Sequence, residues 1–132
     1  MKNIRSYIIV DDDLLNNMIC CMTIKSALGE VETKTFTVPE EGLAFIQNDF
    51  ANNLQPTILF LDINMPTLTG WEFIELYVKF SEEVKNEISI YMLSSSVDHN
   101  DQQKADTMLS VKGFMTKPLQ LEEVLALSGI EH

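Results

Sequence analysis

Five polar residues, each following a short apolar run, carry the chemistry this 132-residue chain offers. Asp11 and Asp12 end "YIIVDD", Asp62 ends "TILFLD", Ser94 follows "YML", and Lys117 follows "GFMT". Two carboxylates about 5 Å apart repel by roughly 3 kcal/mol at an effective dielectric of 20. A chain that gathers three of them needs cations to offset the repulsion. Lys117 supplies one charge, and a hard divalent ion would supply the rest. Oxygen donors without His or Cys select magnesium or a similar ion over zinc. The reading is a metal seat, with Asp13 set apart as a helix N-cap.

The elements that must bring these residues together follow from the apolar pattern. "YIIV" (7–10) and "TILFLD" (57–62) read as strands covered on both faces, the second of them central. "VETKTF" (31–36) alternates and reads as an edge strand; 88–93 and 113–116 complete five. Between them lies a helix carrying Leu15, Met18, Ile19 and Met22 at helical spacing, which Gly29 ends in a left-handed cap. A second helix starts with a capping box at Thr37, Pro39 and Glu40. The polar exit at 48–56 follows it. A third helix spans about 71–80 with Trp71 at its start, a polar fourth covers 99–110, and "LEEVLALSG" forms the fifth. Five strands alternating with five helices predict an α/β fold, a doubly wound parallel sheet with helices on both faces. Functional groups of such sheets collect at the carboxyl ends of the strands. All five residues stand there.

Composition narrows the function classes. A hydrophobic content of 45% fits a single folded domain over residues 1–132, with no effector domain. No apolar run nears the roughly 18 residues of a membrane span, and no signal-peptide core follows "MKNIRS", so a cytoplasmic location without membrane association is expected. The net charge of −11, from 20 acidic and 9 basic residues, argues against nucleic acid as a partner. Cys20 and Cys21 are adjacent, point about 100° apart on a helix and form neither a disulfide nor a zinc pair. They read as buried or half-buried thiols in a reducing compartment. The seven methionines read as core filler, and His99 and His132 as surface residues.

Taken in order, "VDDD", "LFLDINMP" with its following glycine, "YMLSS" and "GFMTKP" resemble the receiver domain of two-component response regulators, the CheY-like family. The resemblance runs from Ile4 to about Leu127. It implies the strand order 2-1-3-4-5 and a phosphorelay function, with a histidine kinase or histidine phosphotransfer protein as donor. Asp62 corresponds to the phospho-accepting aspartate. Asp12 corresponds to the direct Mg2+ ligand and Asp11 to its water-linked partner; Asp62 and the Asn64 carbonyl complete the metal set. Lys117 would pair with the phosphoryl group, and the Lys117–Pro118 bond would be cis. Ser94 and Phe114 correspond to the switch pair that alters the face made by the fourth helix, fifth strand and fifth helix. The family role is a phosphoprotein that promotes only its own phosphotransfer and dephosphorylation, not an enzyme acting on other substrates. Its downstream protein is unidentified by sequence, and a phosphorylation-dependent homodimer fits the family. Donor helices dock at the first helix in the family, which makes Leu14 and Asn16 the expected contacts.

The chain departs from the family pattern at a few positions. Serine stands at 94 where threonine is commoner, Ser95 replaces alanine or glycine, Thr69 replaces Asp or Asn, and Phe114 lacks the hydroxyl of tyrosine. Each catalytic group is retained. A haloacid dehalogenase-type phosphatase needs a second acid two residues after the nucleophile, where Asn64 stands, and its acidic pair follows the nucleophile. A flavodoxin needs a phosphate loop where "DDDLLNN" would repel FMN. The remaining alternative is a receiver-like interaction module controlled by protein binding instead of phosphorylation.

Overall fold

The computed structural model describes residues 3–96 and 98–129. Its five strands are β1 (Ser6–Val10), β2 (Glu32–Phe36), β3 (Thr57–Asp62), β4 (Ile88–Ser94) and β5 (Val111–Thr116). All pair in parallel, in the order β2-β1-β3-β4-β5. Every residue of β1 and β3 is buried, as two-sided coverage requires. Alternation along each strand divides the core between the faces. Ile8, Val10, Leu59 and Leu61 join one apolar cluster, while Tyr7, Ile9, Ile58 and Phe60 join the other.

Six α-helices cover the sheet among the described residues: α1 (Leu14–Leu28), α2 (Pro39–Asn48), α3 (Gly70–Tyr77), α4 (Glu82–Glu87), α5 (His99–Thr107) and α6 (Leu121–Leu127). The sequence pattern predicts five. The extra one, α4, is six residues long and buries only Val84, so no periodicity announces it; Ser81 caps it by accepting the Val84 N–H. Helix α3 ends at Tyr77 and α5 at Thr107, each about one turn short of expectation. Strand β5 starts two residues earlier than expected. Its register jumps from Ile90↔Val111 to Tyr91↔Gly113, leaving Lys112 as the extra residue of a bulge. The polar exit from α2 hides a core anchor, Phe50, in a single 3-10 turn.

Two helix starts and one helix face differ from expectation. Val38, not Thr37, is the N-cap of α2, with no side-chain hydrogen bond; Pro39 in the first turn and the acids Glu40 and Glu41 begin that helix. A capping box opens α3 instead, where Thr69 Oγ1 accepts the Glu72 N–H and Glu72 Oε1 accepts the Thr69 N–H. On α1 the apolar residues Leu14, Leu15, Met18 and Met22 are all more than half exposed. The buried face carries Asn16, Asn17, Cys20 and Ile24. Met18 and Met22 are therefore not core filler, whereas Met65 and Met92 are. Asn16 and Asn17 tolerate burial because the end of β1 offers them acceptors. Gly29 ends α1 at φ 78° and ψ −143°, outside the left-handed helical well and open in practice only to glycine.

Candidate functional site

Parallel pairing aligns the carboxyl ends of β1, β3, β4 and β5, and the residues that leave those ends meet in one cleft of about 520 Å³. Asp11 is fully buried and Asp62 is 4% exposed, while Asp12 and Asn64 lie open to solvent. Carboxylate oxygens of Asp11, Asp12 and Asp62 lie within 4.8 Å of one another. Lys117 Nζ stands 2.7 Å from Asp11 Oδ2 and 3.3 Å from Asp62 Oδ1. The ammonium thus leans toward Asp11 and only brushes Asp62. The Lys117–Pro118 peptide is cis, as the resemblance implies. The Lys117 N–H donates to the Ser94 carbonyl at 2.8 Å, which ties the lysine strand to the serine strand.

Charge is unbalanced here. Three carboxylates face one ammonium, an excess a divalent cation would offset, and the donors are all oxygens. The residues fit a hard ion of the magnesium kind. Burial pushes the Asp62 carboxyl up to about 7, and the Asp11 charge adds to the rise while Lys117 opposes it. For Lys117, burial works against the ammonium, but hydrogen bonds and charge from Asp11 and Asp62 outweigh it and raise its pKa. Asp13 is the N-cap of α1, accepting the Leu15 N–H at 2.9 Å, and is not part of the acidic group.

Ser94 is 2% exposed, and its hydroxyl is occupied. It donates to the Ser96 carbonyl at 2.7 Å and accepts the Ser96 N–H at 3.3 Å, a local turn closed on itself. Ser95, not Ser94, lines the cleft. Phe114 on β5 is half-buried against the cluster containing Met92. Register pairs Met92 with Phe114 and Ser94 with Thr116, so Ser94 and Phe114 are diagonal neighbours on one face of the sheet.

Several supporting residues were not legible as such. Asn16, expected to face outward as a docking contact, is 6% exposed and donates to Asp11 Oδ2 at 2.7 Å. Asn17 donates to the Asp11 carbonyl at 3.0 Å. Gly70 packs so tightly under the site that a Cβ there would stand 2.6 Å from the Asp62 carbonyl oxygen. Trp71, adjacent to it, donates its indole N–H to Asp101 on α5 and lies under Lys104. Burial at a helix–strand junction decides these roles, and a linear motif does not encode it. Cys20, buried beside Asn16, has its thiol pushed up to about 12, chiefly by burial and then by the Asp11 charge, and stays a neutral thiol. Cys21 is half-buried, as expected. His99 opens α5 on the surface; His132 lies outside the described residues.

Comparison with known proteins agrees with this geometry. No curated protein matches the sequence. Among solved structures, a response regulator receiver protein from Dyadobacter fermentans matches with a TM-score of 0.85 at 25% identity, over 93% of this chain and 94% of that one. A two component response regulator from Cytophaga hutchinsonii matches with a TM-score of 0.85 at 30% identity, over 93% and 92%. Vibrio cholerae CheY4 shares the fold, with a TM-score of 0.72 at 24% identity over 93% and 94%. The family model described as the response regulator receiver domain matches residues 7–128, nearly the whole chain, and the protein belongs to that family.

Proposed function

We propose that this receiver domain takes a phosphoryl group from a phosphohistidine onto Asp62, with Mg2+ held by Asp11, Asp12, Asp62 and the Asn64 carbonyl. The observation that carries the reading is Asp62 itself. A nearly buried carboxylate sits with a lysine ammonium 3.3 Å away and two further carboxylates at an open cleft. A carboxylate oxygen of Asp62 attacks phosphorus, the P–N bond breaks, and its electron pair returns to the imidazole, leaving an acyl phosphate. Bound magnesium would neutralise phosphoryl oxygens during the transfer. Lys117 follows the new charge as a point cation. Ser94 leaves its turn with Ser96 and donates to a phosphoryl oxygen, which frees the diagonal space that Phe114 enters. The response then reaches the face of α5, β5 and α6, the renumbered equivalent of the face expected from sequence.

The phosphodonor meets α1. Leu14, Leu15, Met18 and Met22 form an exposed apolar surface beside the cleft, a chemistry suited to the apolar side of a donor helix. Within this reading residues 1–132 act as one receiver unit whose output is protein binding, including self-association on phosphorylation, without catalysis on other substrates. Phosphoramidate with MgCl2 tests the function. Intact mass should rise by one phosphoryl group, and chelation of the metal should prevent it. Absence of any adduct with magnesium present would favour control by protein binding alone.

A further inference from the structure

Asp11 presents a problem that Lys117 solves only in the resting site. Its carboxylate is fully buried, so each of its oxygens needs a donor. Oδ1 accepts the Asp13 N–H at 2.9 Å, and Oδ2 accepts Lys117 Nζ at 2.7 Å. If Lys117 moves to a phosphoryl group on Asp62, Oδ2 loses its strongest partner. Asn16 stands ready at that same atom. Its Nδ2 donates to Asp11 Oδ2 at 2.7 Å, and its other acceptor contact is Cys20 Sγ at 3.7 Å. The Asp11 carboxylate can only accept, so the amide faces it with its NH2 group. The side chain is 6% exposed and sits in the first turns of α1, whose N-cap Asp13 is also the residue that bonds Oδ1. One short segment thus holds both oxygens of Asp11.

We propose that Asn16 is a positioning residue, which keeps the Asp11 carboxylate seated while Lys117 transfers from it to the phosphoryl group. The proposal rests on the phosphoacceptor reading of Asp62. Without Asn16, the lysine would have to abandon a buried carboxylate oxygen for which the described residues offer no other hydrogen-bond donor. It would then stay on Asp11, and the phosphorylated form would lose its cation. Loss of such supporting hydrogen bonds around a metal site commonly costs ten- to a hundredfold in affinity.

The test measures beryllofluoride, an acyl-phosphate mimic, by 19F NMR at saturating MgCl2, alongside thermal melts of the unliganded proteins. Asn16→Leu removes the donor at similar size, and Asn16→Ser shortens it below reach without adding apolar surface should the leucine variant not fold. Both should raise the beryllofluoride midpoint about tenfold or more. Asn16→His returns an N–H at comparable reach and should recover much of the loss. A residue needed only for folding would lower the unliganded melting temperature without moving the midpoint. Wild-type-like or tighter midpoints in the leucine and serine variants would overturn the role of Asn16 alone. Failure of the wild type to bind beryllofluoride would overturn it together with the phosphoacceptor reading.

Discussion

At Asp62 a buried position raises the carboxyl pKa to about 7 from an unfolded value near 3.9. The native state therefore holds an extra proton between about pH 4 and pH 7, and stability falls as pH rises through that window. The full effect is on the order of 4 kcal/mol, at about 1.4 kcal/mol per unit. Asp62→Asn should then stabilise the metal-free protein at pH 7.5 by a few kcal/mol, with little gain near pH 4. Urea melts at both pH values check this, and parallel wild-type and variant profiles would count against it. In the proposed switch, Ser94 couples phosphorylation to output. A charge-assisted bond contributes about 1.5–3 kcal/mol, close to the roughly 2.7 kcal/mol that turns a 1:10 equilibrium into 10:1. Ser94→Ala should still accept phosphate, yet show much smaller amide shifts over residues 110–120 on binding beryllofluoride than the wild type does. At this scale the aspartates and the lysine of the cleft were legible from their places at strand ends, whereas the serine lining it is Ser95 and not the expected Ser94. Asn16 was not legible, because its partner lies across a turn.

Elements were legible where apolar residues outnumber polar ones and obscure where a single residue does the anchoring. All five strands could be read from their runs and parallel pairing followed from alternation with helices, whereas the order β2-β1-β3-β4-β5 was implied only by the family resemblance. Helix α1 differs on its buried face: Leu15, Met18 and Met22 point outward while Asn16 and Asn17 join Cys20 and Ile24 inside, so hydrophobic spacing identified the helix but not its orientation. Short α4, with only Val84 buried, carried no readable period. The exposed face of α1 gives a direct test of docking. Replacing Leu15 and Met18 with serine should leave stability within about 0.5 kcal/mol per site. Transfer from a protein phosphodonor should slow at least tenfold, with phosphoramidate labelling unchanged. Equal slowing with both donors would remove α1 from docking. Gly70, at the start of α3, tests the support under the site. An alanine Cβ would stand 2.6 Å from the Asp62 carbonyl oxygen and 2.9 Å from the Met92 methyl. Gly70→Ala should cost about 1–3 kcal/mol through overpacking, read as a lower melting temperature and weaker beryllofluoride binding.

Across the whole molecule, the sheet brings to one rim groups that are 106 residues apart in sequence, from Asp11 to Lys117, while the net charge of −11 disfavours polyanions there. Among the described residues no helix is long and apolar enough to cross a membrane. Among the described residues the fold builds an acidic cleft in which the nearly buried Asp62 lies beside the first turns of α1. The central claim is that this carboxylate, Asp62, takes the phosphoryl group. Borohydride reduces an acyl phosphate to an alcohol and releases phosphate, so it marks the acceptor covalently. Phosphorylation with phosphoramidate and MgCl2, followed by borohydride and peptide mass spectrometry, should convert the aspartate at position 62 alone to homoserine. Homoserine at Asp11 or Asp12, or labelling that leaves Asp62 intact, would contradict the account.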